Sequence, residues 1–124
     1  MMFSHQFHGC KAWVYQYEKP VSHEVFYSYE TEICISAVIG TEIHFWLRFG
    51  ATHISGTTTR QLCRYLGERA RGYNQHPYIP VHIIRELVAR GAGATYEHDS
   101  TVYVYRGSLL DYSDTALENS SNGR

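Results

Sequence analysis

The amino-acid sequence predicts an α+β fold, in which an antiparallel β meander is followed by two short helices and a closing β-hairpin. Runs of β-branched and aromatic residues, separated by turn residues, fill the region 12–55. After Gly56 the apolar residues recur about every 3.6 positions instead of every second position. Two alternating runs near the end of the chain complete the pattern. This order predicts helices that cover one face of a mostly antiparallel sheet.

Four strand signals make up the predicted meander. They cover residues 12–17, 23–29, 33–39 and 42–49. In the second of these runs, alternation places Phe26 and Tyr27 on opposite faces. Gly40 and Thr41 form a two-residue hairpin signal between the third and fourth runs. A short further run at 53–55 precedes the first helix.

Two helices are predicted after the meander. In the first, Leu62 and Leu66 recur at helical spacing, and Gly72 ends the helix. Pro80 stands where a first-turn proline opens the second helix. Gly91 is the natural terminator of that helix. We therefore expect a helical pair between the meander and the closing hairpin.

The closing hairpin and the chain ends set the expected domain boundaries. Alternating residues at 95–98 and 101–106 flank a short turn. Residues 12–107 are expected to form a single α+β domain. The segment 1–11 is expected to be a flexible N-terminus. Residues 108–124 are expected to be a largely disordered C-terminal tail, because they are mostly polar.

Composition excludes several classes of partner. The 124-residue chain has a formal net charge of -1, so its overall charge does not attract nucleic acid or an anionic membrane. The longest apolar run, at 33–39, is much shorter than the roughly 20 residues that a membrane helix needs. The three cysteines have no CxxC spacing and follow no signal peptide. These features predict a protein of a reducing cytoplasm.

The start of the first helix is one candidate binding site. Thr57 and Thr58 supply hydroxyls, and Arg60 and Arg64 follow one turn apart. A helix start presents backbone N–H donors and a partial positive charge, which favour phosphate or carboxylate. The alternative is an ordinary threonine-capped helix with solvated arginines.

The closing hairpin carries a second candidate group. Tyr103 and Tyr105 alternate there, and Arg106 follows them. Arginine beside tyrosine can stack on a purine while pairing with its phosphate. The alternative is a solvated strand face. We assign these three residues, with the four at the helix start, to ligand binding.

Catalytic and metal signals are weak. The pattern H-x-S, which two-histidine phosphoesterases use, begins at His53 and again at His98. It makes such an enzyme a minor alternative. His5, His8 and Cys10 are possible metal ligands, but a structural zinc site needs four and no second cluster supplies the last. We predict no catalytic residue, no metal and no cofactor.

One sequence pattern carries a resemblance to known proteins. A Y-S-Y-x-T-x-I run at Tyr27–Ile33 is followed about 25 residues later by S-x-T-T at Ser55–Thr58. This resembles a group of small phage-encoded proteins of unknown function, over about a third of the chain. Arg60 and Gln61 stand where that group frequently has lysine or serine and then histidine, so no role of that histidine is transferred. The resemblance implies a phage or prophage origin.

The resemblance suggests a counter-defence role, since small phage proteins without catalytic motifs often act against host immunity. The predicted architecture is also similar to that of the Thoeris anti-defence sponges. We expect a binding protein without catalysis that sequesters a nucleotide-derived immune signal. The alternative is an anti-CRISPR-like inhibitor that blocks a host defence protein. A sponge needs a concave site with arginines, whereas an inhibitor needs a flat patch.

A homo-oligomer is also expected. One sheet face covered by two short helices would leave large apolar residues such as Trp13, Phe45 or Phe49 exposed. Burial of such a patch between subunits would remove it from water.

Overall fold

The structure analysed is a computed structural model, which describes residues 2–7, 11–18, 21–48, 56–71, 78–98 and 100–113. The described residues contain seven strands and two α-helices. In chain order they are β1 (Met2–Gln6), β2 (Ala12–Tyr17), β3 (His23–Ser28), β4 (Thr31–Ile39), β5 (Glu42–Leu47), α1 (Gly56–Arg71), α2 (Val81–Arg90), β6 (Thr95–His98) and β7 (Thr101–Ser108).

The strands form one sheet with the order β1-β2-β3-β4-β5-β7-β6. The first five strands are an antiparallel meander, in which each strand pairs with the next along the chain. β7 then lies parallel to β5, with Ile43 opposite Tyr103, and β6 closes the sheet as the antiparallel partner of β7. The predicted α+β fold is confirmed. The sheet is mixed, because its one parallel pair joins the meander to the hairpin.

Both helices pack on the same face of the sheet. Phe26 and Phe45 from the strands are fully buried there together with Leu62 and Leu66 of α1 and Ile84 of α2. Burying one such side chain stabilises the fold by about 1.5–3 kcal/mol. The helical spacing of Leu62 and Leu66 therefore places both side chains on the face of α1 that packs against the sheet, as the sequence predicts.

The second helix is bounded by Pro80 and Gly91, the proline and glycine that the sequence predicts at its two ends. Pro80 occupies the N-cap position with extended backbone angles, one residue before the first helical turn. Gly91 caps the other end with a φ of 92°, in the left-handed region that favours glycine. Its backbone N–H donates to the carbonyls of Leu87 and Val88. The predicted terminator at Gly91 is confirmed.

The N-terminus differs from the flexible segment expected over 1–11. Met2–Gln6 form β1, which pairs with β2 from Met2 opposite Tyr17 to Gln6 opposite Trp13. The Phe7 amide donates to the Ala12 carbonyl at 2.8 Å, and the Phe7 side chain is buried in the core. An edge strand needs backbone pairing on one side only, so it carries a weaker side-chain pattern than a central strand.

The C-terminal side of the domain also extends further than the predicted boundary at 107. β7 ends at Ser108, and a 3₁₀-helix spans Leu109–Asp111. Ser108 and Asp111 form a reciprocal capping box around it. The expected tail is therefore corrected for residues 108–113. Residues 114–124 lie outside the described part of the chain, as do the predicted run at 53–55 and the predicted helix end at Gly72.

The apolar residues expected to need a partner subunit have different environments. Phe45 is fully buried under the helices, so it needs no further cover. Trp13 is 40% exposed on the opposite face. Phe49 lies outside the described residues. Oligomerisation therefore stays a prediction that rests on Trp13.

The cysteines and helices that the structure describes can be compared with the predicted reducing compartment. Cys34, in β4, and Cys63, in α1, are both free and buried, whereas Cys10 lies outside the described residues. Neither α1 nor α2 combines the length and the apolar character that a membrane crossing requires.

We predict that Leu66→Ala lowers the free energy of unfolding by about 2–5 kcal/mol, because it removes a fully buried side chain and leaves a cavity. Leu110→Ala is the matched control, since that side chain is 95% exposed and should change stability by no more than about 0.5 kcal/mol. Urea denaturation followed by circular dichroism measures both values. Equal losses in the two variants would contradict the packing of α1 on the sheet.

Candidate functional site

The sheet face opposite the helices, the open face, carries aromatic side chains. Trp13, Tyr15 and Tyr17 occupy alternate positions of β2, so all three side chains point to this face. Tyr27 of β3 lies directly opposite Trp13 in the register. We call these four residues the aromatic patch. None of the four is fully buried.

The rings of the patch are held by contacts with one another and with their neighbours. Tyr15 and Tyr27 meet edge to face, with ring centroids 5.0 Å apart and planes at 70°. Tyr17 stacks on His23 at 5.0 Å with an angle of 6°. Such aromatic pairs stabilise their geometry by about 0.5–1.5 kcal/mol beyond area burial. The patch is therefore a semi-rigid surface.

The C-terminal segment covers the other part of the open face. The Tyr112 ring packs edge-on against Trp46, with centroids 4.9 Å apart at 90°. Tyr112 also contacts His23 at 5.6 Å. The Arg106 guanidinium lies 5.2 Å from the Trp46 ring centroid, in cation–π geometry, and 2.9 Å from His44 Nδ1. Trp46 is consequently buried, whereas Tyr112 itself is only half-buried.

Charged side chains of both signs lie beside the aromatic patch. Burial and then the negative charge of Glu32 raise the pKa of Tyr27 above its usual value. The phenol is therefore neutral at physiological pH and can donate a hydrogen bond. The Glu32 carboxylate is the negative charge beside Tyr27, and the Arg48 guanidinium, which donates to the Glu32 carbonyl at 3.5 Å, is a neighbouring positive charge.

The predicted site at the start of α1 is divided between solvent and core. Thr57 and Arg60 are exposed. Thr58 is buried, and its hydroxyl lies 3.0 Å from that of Ser28 on β3, so it joins the helix to the sheet. Arg64 pairs with Glu68 at 2.8 Å, one turn along the helix. Nothing described at this helix start adds a second ligand-binding feature to the exposed Arg60.

Arg64 has a further contact that its sequence position does not reveal. Its guanidinium carbon lies 5.7 Å from the centre of the Tyr78 ring. Hydrogen bonding to Glu68 raises the pKa of Arg64 further. The side chain thus bridges α1 to the segment that precedes α2.

The hairpin group is not one site. Tyr103 is fully buried under the helices, where its hydroxyl donates to the Leu66 carbonyl at 2.8 Å. Tyr105 is also buried and packs on Phe45 with ring centroids 5.7 Å apart. Arg106 points to the opposite face, because side chains alternate along β7. The expected tyrosine platform is therefore part of the core, and only Arg106 lies on an accessible face.

The catalytic and metal alternatives fall largely outside the described residues. His53, His8 and Cys10 are not described. His98, at the end of β6, stacks on Tyr96 with ring centroids 5.9 Å apart. Within the described ranges, no group of three His, Cys, Asp or Glu side chains could hold a metal ion.

A buried polar network lies under α1 and has no counterpart in the sequence predictions. The Nε–H of Arg69 donates to Ser36 Oγ at 2.9 Å, and Ser36 Oγ lies 2.7 Å from the Tyr65 hydroxyl. Tyr65 donates to Glu24 Oε1 at 2.8 Å. Since the Tyr65 proton is directed to Glu24, the Ser36 hydroxyl must donate to Tyr65. Gln16 donates to the other Glu24 oxygen at 3.0 Å.

The network joins α1 to β2, β3 and β4 through charged ends. Arg69 Nε lies 3.2 Å from Glu24 Oε1, so the network contains an ion pair that is mostly buried. Glu24 and Ser36 are cross-strand neighbours, and Tyr65 and Arg69 are one helical turn apart. Only the second of these spacings is visible in the sequence. Burial and then the charge of Glu24 raise the pKa of Tyr65 well above its usual value.

A cavity of about 310 Å³ opens beside this network, on the helix side of the sheet. Its lining residues are Val38, Gly40, Thr41, Ile43, Arg69, Ser100 and Thr101. The β4–β5 turn and the β6–β7 turn therefore meet around the Arg69 side chain.

Comparison of the chain with protein-family models, with curated proteins and with solved structures found no match.

We predict that stability falls above about pH 10, where an unfolded tyrosine ionises. The folded state holds the Tyr65 proton to higher pH because the pKa is raised, so the unfolded state loses its proton first and is favoured. Urea midpoints at pH 8 and pH 10.5 should show this loss. Tyr65→Phe should lose about 1–3 kcal/mol at pH 8, since Glu24 loses a donor, but should decline less steeply at high pH.

The control for this experiment is Tyr29→Phe, because the Tyr29 side chain is exposed. That variant should keep the wild-type pH dependence. A Tyr65→Phe variant whose stability declines as steeply as wild type would contradict the assigned role of the buried phenol.

Proposed function

We propose that this chain is a phage-type counter-defence protein that binds, without catalysis, to a host defence protein through its aromatic patch. The observation that carries the proposal is the set of four ordered, incompletely buried aromatic side chains on one side of the sheet. The phage origin rests on the sequence resemblance carried by Tyr27–Ile33 and Ser55–Thr58. Tyr27 itself belongs to both features.

The shape of the patch supports a protein partner over a small molecule. Its residues lie on adjacent strands of one sheet face, so together they present a broad surface. Tyrosine and tryptophan are enriched in protein interfaces because they bury a large area with few rotatable bonds. Their polar tips hydrogen-bond at the same time. A protein-directed inhibitor is thus favoured over the sponge that the sequence predicts.

The local charge supports a basic partner surface. Glu32 lies close enough to Tyr27 to raise the pKa of its phenol. A phosphate backbone would be repelled by this carboxylate, whereas a lysine-rich or arginine-rich surface would be attracted. Nucleic-acid-binding effectors carry such surfaces, and covering one would block its function. The proposed partner is therefore a nucleic-acid-binding defence effector in the host cytoplasm.

The residues predicted to bind a nucleotide-derived signal support that function less well. Tyr103 and Tyr105 are buried, and the Thr58 hydroxyl contacts Ser28. Arg60 is exposed, but the described cavity lies beside Arg69. Sequestration of a nucleotide signal stays a prediction without support from those seven residues.

We predict that Trp13→Ser and Tyr15→Ser each weaken binding to the host protein by about 30-fold, the effect of removing a hot-spot aromatic side chain. The wild-type protein, purified from infected, defence-positive cells, should carry a bound protein in native mass spectrometry. Each variant should lose that protein and also lose protection of the phage in plaque assays. Titration with the purified partner then measures the dissociation constants.

The matched control is Tyr78→Ser. Tyr78 is 44% exposed, close to the 40% of Trp13, but its ring lies against Arg64 of α1 and so away from the patch. This variant should bind as wild type does. The proposal is wrong if the spectrum contains only a small ligand, or only further copies of this chain, or if Trp13→Ser and Tyr15→Ser keep full affinity.

A further inference from the structure

The cavity beside Arg69 has the features of a small anion site. It lies on the helix side of the sheet, so it is separate from the aromatic patch. Two turns supply its hydroxyl groups, from Thr41, Ser100 and Thr101. Val38 and Ile43 supply an apolar wall. A volume of about 310 Å³ is at the lower end of the range for ligand pockets, roughly 300–1,000 Å³.

Arg69 is the one residue with a charged side chain among the described residues that line this cavity. Among the described residues, Nε is the atom through which Arg69 makes its hydrogen bond to Ser36 and its ion pair with Glu24. Both terminal nitrogens remain, and the side chain is 17% exposed where it lines the cavity. Two parallel N–H donors match two oxygens of a phosphate in bidentate geometry.

The buried network fixes this arginine before any ligand arrives. Ser36 and Glu24 hold the Nε side of the guanidinium, and Tyr65 links these two partners. A ligand therefore meets an ordered donor pair and does not have to immobilise a flexible side chain. The Glu24 carboxylate offsets part of the positive charge, so the affinity should be moderate.

We propose that this cavity binds a phosphate monoester of nucleotide size, with the phosphate on the Arg69 fork. The hydroxyls of Thr41 and Thr101 would donate to the remaining phosphate oxygens. The Val38 and Ile43 side chains would contact the body of the ligand. This site is independent of the aromatic patch, so either can fail without the other.

Titration of ¹⁵N-labelled protein with inorganic phosphate, adenosine 5′-monophosphate and adenosine tests the site by NMR. The two phosphates should shift the signals of Thr41 and Thr101 with saturation at millimolar concentration, and neutral adenosine should not. Val38→Glu should weaken phosphate binding by about tenfold, because its carboxylate competes for the fork. Val38→Gln introduces a neutral side chain of nearly equal size, so it separates the effect of charge from that of shape and should retain more phosphate affinity than Val38→Glu. Val38 is 48% exposed, so both variants should fold.

Arg69→Lys is a second variant that keeps a positive charge beside Glu24 but lacks the fork. It should lose several-fold in phosphate affinity. The expected dissociation constant is millimolar, so about 10 mM phosphate should occupy most of the sites. The proposal is overturned if the wild-type signals do not shift at that concentration. It is equally overturned if adenosine shifts the same signals as the monophosphate, or if Val38→Glu and Val38→Gln bind phosphate alike.

Discussion

The parallel pairing of β7 with β5 is the constraint on which the rest of the structure depends. Parallel neighbours cannot be joined by a tight turn, so the chain must leave the sheet and return before β7 can pair. It does so through α1 and α2, which both pack on one face. That single excursion gives the sheet one covered face and one face without helices. The buried network and the aromatic patch are consequences of this asymmetry.

The covered face combines apolar packing with a polar network, and the two have different physical roles. Leu66 and its neighbours supply hydrophobic stabilisation, which tolerates small shifts of α1. The network is directional: Arg69 and Glu24 are costly to bury unless every donor and acceptor is satisfied. Tyr65 and Ser36 satisfy them only when α1 has one rotation and one height over the sheet. The same network that fixes the helix thus orients Arg69 beside the cavity.

Local patterns predict β2 to β7, the two helices and the cap at Gly91, because periodicity and turn chemistry act within a few residues. They did not predict β1 or the parallel partner of β5, since both depend on backbone pairing between distant segments. The assigned site residues are limited in the same way, because local patterns do not show which side chains become buried. Alternation separates Tyr105 from Arg106, but the sequence does not reveal which face the helices cover. Trp13 and Tyr15 were visible as alternating aromatics, yet their exposure depends on where the helices pack.

Successive side chains of a strand point to opposite faces of the sheet, so β2 and β3 each contribute both to the network beside the cavity and to the aromatic patch. In β3, Glu24 and Phe26 face the helices while Val25 and Tyr27 face the other way. A slip of one residue in the pairing would exchange these sets and place a carboxylate network on the open face. The buried residues of both faces therefore enforce the register, and Tyr27 contributes to it by packing on the open-face cluster of Val25, Ile35, Ala37 and Trp46. Substitutions at exposed positions of the open face, such as Trp13, can accordingly alter binding while the buried residues keep the fold, which is the condition for a binding surface to change partners.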